Sequence, residues 1–237
     1  QTIPHFLTNP HLGMVQTRWA HLNAEYSPLT RAIAMAFDGH FVVEQIVRHR
    51  SGLLMSFNGS GGVWRRRCIE ESGGWQSDTL CEDLDLSYRA QAAGWQCLYL
   101  PHIESPAEVP PQMAALKRQQ SRWAQGSIQT LRKLAPLVLR SSRFSLTQKI
   151  MALIHLSAYL AHPLLVLILL ISLPALFIPQ SQRIPLGALS LFYLGPPLIY
   201  TLAMQYLYVD WWRRLRALPL LILIGIGIAW CNTRAAW

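Results

Sequence analysis

Apolar positions along this chain change their period several times, and each change predicts an element. Residues 12–19 (Leu-Gly-Met-Val-Gln-Thr-Arg-Trp) hold a short apolar run beside a glycine and read as a strand. Over 27–50, Ile33, Phe37, Phe41 and Ile46 recur at near-helical spacing. Residues 53–57 (Leu-Leu-Met-Ser-Phe) read as a second strand, ending in Asn58-Gly59-Ser60-Gly61-Gly62. Extended structure resumes over 63–67, one helical turn fits 68–72, and Gly73-Gly74 stops it. Leu84, Leu86, Tyr88 and Ala92 give 82–93 a clear helical period that Gly94 ends. Residues 96–100 read as a strand terminated by Pro101. Strands alternating with helices predict an α/β domain with a mixed sheet, and no repeat of 20–50 residues is visible.

The pattern then turns helical. Residues 107–140 read as amphipathic helix: Val109, Met113, Leu116, Gln120 and Trp123 mark one side, and Lys117, Arg118, Arg122, Arg132 and Lys133 supply charge. Such a helix can lie in a membrane interface or pack on the preceding domain, and the pattern leaves both open. Beyond it, the 28 positions from Met151 to Ile178 contain no Asp, Glu, Lys or Arg. At about 1.5 Å per residue a helix of that length crosses a ~30 Å hydrocarbon core. Ile184–Val209 is a second uncharged run, and Ala217–Trp230 a third of only 14 residues. The expected organisation is a domain over 1–106, interface helices over 107–150, and membrane helices near 151–178, 184–209 and 217–233.

Composition sharpens this division. Hydrophobic residues make up 51% and charged residues only 14%, against about 25% charged in an ordinary soluble domain. Disordered, collagen-like and disulfide-scaffold classes are excluded, and the four cysteines (Cys68, Cys81, Cys97, Cys231) have no metal-ligand spacing. The net charge of +9 does not form one patch. Arg132, Lys133, Arg140, Arg143 and Lys149 precede the first run, Arg183 alone lies between the first and second, and Arg213, Arg214 and Arg216 separate the second from the third. Positive loops stay inside, so residues 1–150 are expected to be cytoplasmic, and a nucleic-acid partner is not indicated. The first residue is Gln and no signal peptide is visible, which suggests a piece of a longer protein.

Three features could carry chemistry. Glu82-Asp83-Leu84-Asp85 opens a helix, where carboxylates either cap the free amides or present a general base. Asp85 lies about 200° round the helix from Asp83, so it should face away and serve only the helix end. Gln119-Gln120-Ser121-Arg122-Trp123 puts Gln119 and Arg122 on one helix face beside a Trp. Those donors suit an anionic oxygen and the Trp a sugar ring, though an ordinary surface helix fits as well. Phe57–Gly62 is glycine-rich and permits close backbone approach to a ligand, or simply a turn between strands.

Taken in order, Phe-Asn-Gly-Ser, Gly-Gly-Trp, Glu-Asp, Gly-Trp, Gln-x-x-Arg-Trp and then apolar runs, the chain resembles the family 2 glycosyltransferases of the cellulose synthase superfamily. The likeness is strongest to the mannan and glucan synthase-like branch and its bacterial relatives, and covers nearly the whole chain. It implies an α/β fold, a partial GT-A (Rossmann-like) domain followed by transmembrane α-helices, in a bacterial-type inner or plasma membrane. It implies Asp83 as catalytic base with Glu82 beside it; Gln119 and Arg122 at the donor diphosphate; Trp123 and the Phe57, Asn58, Gly59, Ser60 loop at the acceptor; and Gln16 and Thr17 on a strand near the donor. Cys81 stands where the family has Thr, and a thiol is a weaker hydrogen-bond donor.

The same resemblance implies Mg²⁺ or Mn²⁺. The family's nucleotide-binding Asp and metal-binding Asp-x-Asp precede the Val15-Gln16-Thr17 segment, where this sequence has 14 residues and no Asp. The nucleotide-binding half and the metal ligands are therefore expected to lie outside this chain. The implied partners are a nucleotide-sugar (UDP-glucose or GDP-mannose), a glycan or lipid acceptor, and a bilayer; oligomeric state is left open. The implied reaction is inverting hexose transfer to a β-linked polysaccharide. Single transfer to a ceramide or diacylglycerol is the alternative, and a membrane channel or scaffold without catalysis is a third.

Overall fold

The structure is a computed structural model of the 237-residue chain, and it describes residues 1–175, 177 and 194–235. A short helix α1 (Ile3–Thr8) precedes β1 (Leu12–His21). Helix α2 (Pro28–Asp38) runs through a π-helical turn (Gly39–Glu44) into α3 (Gln45–Arg50). Then follow β2 (Gly62–Trp64), α4 (Arg66–Glu71), α5 (Glu82–Ala93) and β3 (Gln96–Ala107). Helix α6 (Met113–Arg140) leads to α7 (Leu146–Leu156) and α8 (Ala161–Ala175). After the gap in the described residues come α9 (Gly195–Leu207), α10 (Trp211–Arg214) and α11 (Leu218–Ala235).

The sheet is mixed, in the order β2-β1-β3. β1 pairs antiparallel with β2 through Met14↔Trp64 and Val15↔Val63, and parallel with β3 from Leu12↔Gln96 to His21↔Ala107. The expected stop at Pro101 does not occur: β3 continues to Ala107. The pairing jumps from Thr17↔Leu100 to Arg18↔Glu104, so Pro101 falls in a bulge where no ladder N–H is required. Its carbonyl accepts from Arg18 Nε at 3.2 Å.

The expected strand over 53–57 is not one. Leu54–Phe57 is buried, as its apolar run required, but its backbone is satisfied by side chains. Gln91 accepts from Met55 N at 2.9 Å and donates to Met55 O at 2.8 Å, Ser87 Oγ accepts from Phe57 N at 2.8 Å, and Arg48 donates to Leu54 O at 3.1 Å. A run of apolar residues signals burial; it does not show whether the neighbouring polar groups come from a strand or from a helix surface.

The expected helix over 107–140 begins only at Met113, because β3 extends to Ala107 and Pro110-Pro111 disfavour helix before themselves. Leu116, Ala124, Ile128, Leu134 and Val138 of α6 are buried. Leu134 and Val138 meet Tyr88 of α5 and Ala152 and Leu156 of α7, so α6 packs on the domain. The apolar helices beyond residue 150 also lean on the N-terminal part: Ala203 and Met204 of α9 pack on Met35 and Val42, and Ile224 and Ile228 of α11 on Ala32, Ile33 and Leu116.

The three expected spans are redrawn accordingly. The first starts earlier, at Leu146, and bends by 51° between Leu156 and Ala158. Of the second, only α9 with its 13 residues lies within the described residues, and Arg183 lies outside them. The third, short by sequence, is the longest unbent apolar helix among the described residues: Trp211–Ala235 forms a 25-residue run with a stretch of mean hydropathy 1.8. Among the described residues one helix is long and apolar enough to cross a membrane, or two if the bent pair counts as one span.

Candidate active site

Residues from the sheet, α2, the π-turn, α5, α6 and the α7–α8 corner enclose a cleft of about 600 Å³, the size of a small-ligand site. Glu82 and Asp83 project from the first turn of α5. Leu84 N–H donates to Asp83 Oδ1 at 2.8 Å, holding the carboxylate near the helix end. Burial is the largest influence on Asp83 and pushes its carboxyl up to about 6, with Glu82 adding to the rise and Leu84 N–H and Arg122 opposing it.

Facing Asp83 is the Phe57–Ser60 loop. Gly59 has φ +76°, and a Cβ on it would lie 3.3 Å from Asp83 Oδ2. Only glycine occupies that conformation without strain and leaves the carboxylate room. Ser87 fixes the two elements together, accepting from Phe57 N and donating to Asp83 O at 2.6 Å.

The third wall is α6. Gln119, Arg122 and Trp123 all line the cleft, Arg122 exposed and Trp123 half-buried. Trp123 meets Phe37 edge-on with ring centroids 5.9 Å apart. α6 comes very close to the loop before α5: a Cβ on Gly126 would stand 2.4 Å from Cys81 Sγ. Cys81 is buried and its Sγ lies 3.9 Å from Trp123 O, so Cys81 joins the Glu82-Asp83 turn to the Gln119–Trp123 helix. Burial pushes its thiol up to about 12.

The structure therefore brings Glu82, Asp83, Gln119, Arg122, Trp123 and Phe57 to Ser60 into one cleft, from three segments far apart in sequence. Gln16 and Thr17 do not line it. They sit buried beneath the loop, where Gln16 Nε2 donates to Ser60 O and Gly61 O and Gln16 Oε1 accepts from Asn58 N. Thr17 Oγ1 donates to Gly61 O at 2.6 Å. Asp85 faces away from the cleft, as its helical angle requires, but it is not a simple helix-end charge. It is fully buried, bonded to Arg89 at 2.6 Å and with Lys133 Nζ 3.0 Å from its other oxygen.

Sequence reasoning missed the wall built by Trp19, Phe37, His40, Glu44, His155 and Tyr159. His40 and Glu44 lie in the π-turn, inside what reads as an uninterrupted helix. The available signal was the i, i+4 series His40, Glu44, Arg48 on one face, where the structure bonds His40 Nδ1 to Glu44 and pairs Glu44 with Arg48.

A profile of glycosyl transferase family group 2 matches residues 1–230. The chain is 40% identical over 149 residues to glucomannan 4-beta-mannosyltransferase 7 of Arabidopsis thaliana, covering 63% of this chain and 27% of that one. It is 43% identical over 149 residues to probable glucomannan 4-beta-mannosyltransferase 7 of Oryza sativa subsp. japonica (63% and 26%). With glucomannan 4-beta-mannosyltransferase 1 of the same rice the match is 34% over 188 residues (78% and 36%). The chain thus spans roughly a quarter to a third of the curated relatives it matches. Among solved structures, a mannosyltransferase from Pyrobaculum calidifontis in complex with GDP-Man and Mn²⁺ aligns over 95% of this chain and 56% of its own, with TM-score 0.46 and 17% identity.

Proposed function

The chain belongs to glycosyl transferase family group 2, and from that premise we propose that its cleft is the acceptor side of an inverting hexosyltransferase that extends a β-linked polysaccharide. The observation that carries this is the convergence on Asp83 of the Gly59 loop and the Gln119–Trp123 helix. Mannosyltransferase names among the relatives favour GDP-mannose over UDP-glucose as donor.

In this reading Asp83 takes the proton from an acceptor hydroxyl as that oxygen attacks the donor's anomeric carbon, and the nucleoside diphosphate leaves. General-base assistance of this kind is worth about 10²–10⁴-fold. A carboxyl raised to about 6 is ionised at neutral pH yet more basic than an exposed Asp, which suits the task. Trp123 offers a flat face for the acceptor ring, orienting its hydroxyl. Arg122, exposed at the rim, meets charge growing on the leaving diphosphate. Among the described residues no three His, Cys, Asp or Glu side chains come together to hold a metal ion. The divalent cation that the resemblance implies takes no part in the roles given to Asp83, Trp123 and Arg122.

Residues 1–106 then form the remainder of the catalytic domain, 107–150 the helices that bring in Gln-x-x-Arg-Trp, and the later helices the membrane attachment, with residues 1–150 cytoplasmic. A membrane-impermeant thiol reagent on intact cells checks the orientation: a cysteine placed at Arg214 should stay unlabelled, and labelling there refutes it.

The test of function is product class. The full-length protein should convert GDP-[¹⁴C]mannose and a mannan oligosaccharide to a ladder of longer oligomers. One lipid-soluble product would favour single transfer to a lipid, and no transfer from either nucleotide-sugar would refute the proposal.

A further inference from the structure

Asn58 lines the cleft, and its side chain is bonded within the cleft wall. Its Oδ1 accepts from Gln45 Nε2 at 2.7 Å, and its Nδ2 lies 2.8 Å from His40 Nε2. Gln45 is fully buried, and its Nε2 also donates to the backbone carbonyl of Ser56 at 3.1 Å. That carbonyl can only accept, which sets every proton beyond it. Gln45 must present its NH₂ there, so Asn58 must turn its oxygen to Gln45 and its NH₂ to His40. His40 Nε2 must then be a bare acceptor, and the ring proton must sit on Nδ1. Nδ1 lies 2.8 Å from Glu44 Oε2.

Glu44 is held as a carboxylate for this role. Burial alone would raise its pKa, but the hydrogen bond from His40 and the guanidinium of Arg48 hold it below the usual carboxylate range. Arg48 Nε donates to Glu44 Oε1 at 3.1 Å, and His155 Nε2 of α7 stands 3.7 Å from the same oxygen. His155 is itself bonded through Nδ1 to Tyr88 OH of α5 at 2.7 Å.

We propose that Glu44 is a positioning residue that acts through His40: it fixes the Nδ1–H tautomer, so that His40 and Gln45 together clamp Asn58 and hold the Phe57–Ser60 loop against Asp83. The clamp rests on the reading of this cleft as a sugar-transfer site. Asn58 is then committed to His40 and Gln45 in the cleft wall rather than free to contact the acceptor, and the loop offers its backbone and Gly59.

Two measurements on the full-length protein test this. Rates with GDP-[¹⁴C]mannose give kcat and donor KM for His40→Leu, His40→Gln, Asn58→Ala and the His40→Leu/Asn58→Ala double variant. Misplacing a reacting group by about 1 Å can cost 10²-fold, so each of the first and third should lower kcat by roughly 10- to 100-fold with donor KM little changed. The double variant should be no worse than the poorer single one, since both break the same clamp. His40→Gln can still accept from Asn58 and donate to Glu44, and should recover much of the loss. Additive losses, or a His40→Gln variant as poor as His40→Leu, overturn the proposal. The second measurement needs no turnover: ¹⁵N shifts of labelled histidines, with His40 assigned by its loss in His40→Gln. An Nδ1–H tautomer that gives way in Glu44→Ala is expected, and an Nε2–H tautomer overturns the clamp. If wild type transfers no sugar at all, the functional reading fails while the histidine shifts still decide this one.

Discussion

Asp83→Asn and Asp85→Asn, two residues apart on one helix, should move stability in opposite directions. Burial raises Asp83 from 3.8 to about 6, a difference of roughly 2 pKa units or ~3 kcal/mol held against the folded state when the group is ionised. The folded pKa lies above the unfolded one. The cost is therefore fully present above pH ~6 and disappears below the unfolded value, as both states become protonated. Replacing Asp83 by Asn should raise the thermal midpoint at pH 7.5, leave it little changed near pH 4, and lower turnover by about 10²-fold or more with donor KM little affected. Asp85 is fully buried between Arg89 and Lys133. Neutralising it removes the charge partner of Arg89 and one of two carboxylates at Lys133, which keeps Asp78. Breaking a buried pair costs about 3–5 kcal/mol, and the low end applies here because Lys133 stays paired and an amide oxygen still accepts one bond. Asp85→Asn should thus lower the midpoint while the fraction that remains folded keeps near-normal specific turnover. Midpoints by intrinsic fluorescence and initial rates, in one detergent, separate the two. If both variants lose stability alike and turnover merely follows folded fraction, Asp83 is a helix cap and the assignment of the base is wrong.

Turnover of the wild type should rise with pH through about 6 as Asp83 ionises, and a profile flat from pH 5 to 8 would count against it as base. Gly59→Ala puts a Cβ 3.3 Å from Asp83 Oδ2 at φ +76°, a conformation costing a non-glycine residue about 1–2 kcal/mol; kcat should fall more than donor affinity, and unchanged kinetics would show that the loop does not set the carboxylate. Burial pushes the thiols of Cys68 and Cys81 up to about 11 and about 12, so mass spectrometry after iodoacetamide at pH 8 should find both unmodified in folded protein, and ready alkylation of Cys81 would contradict its burial against α6.

Most helices were readable because their apolar spacing is local: α5 runs over the residues its period marked and stops at Gly94. Leu54–Phe57 was misread because burial alone does not say that Gln91 and Ser87, on a helix, supply the hydrogen bonds. Pro101 was misread because a bulge set by the partner strand is invisible in the strand's own sequence. The grouping of Asp83, Phe57–Ser60 and Gln119–Trp123 came from the order of short motifs, not from any period, since contacts between distant segments leave no local trace. Asp85 shows the opposite limit. Its helical angle correctly turned it away from the cleft, but nothing nearby in sequence shows that Lys133 of α6 would bury it.

If the cleft beside Asp83 receives the acceptor sugar, the bound sugar must be visible there. An electron cryo-microscopy structure of the full-length protein with a bound mannan oligosaccharide tests it most directly. The terminal ring should lie on Trp123, with one hydroxyl within about 2.6–3.2 Å of the Asp83 carboxylate. An oligosaccharide seated elsewhere, or in the cleft with every hydroxyl out of reach of Asp83, would contradict it.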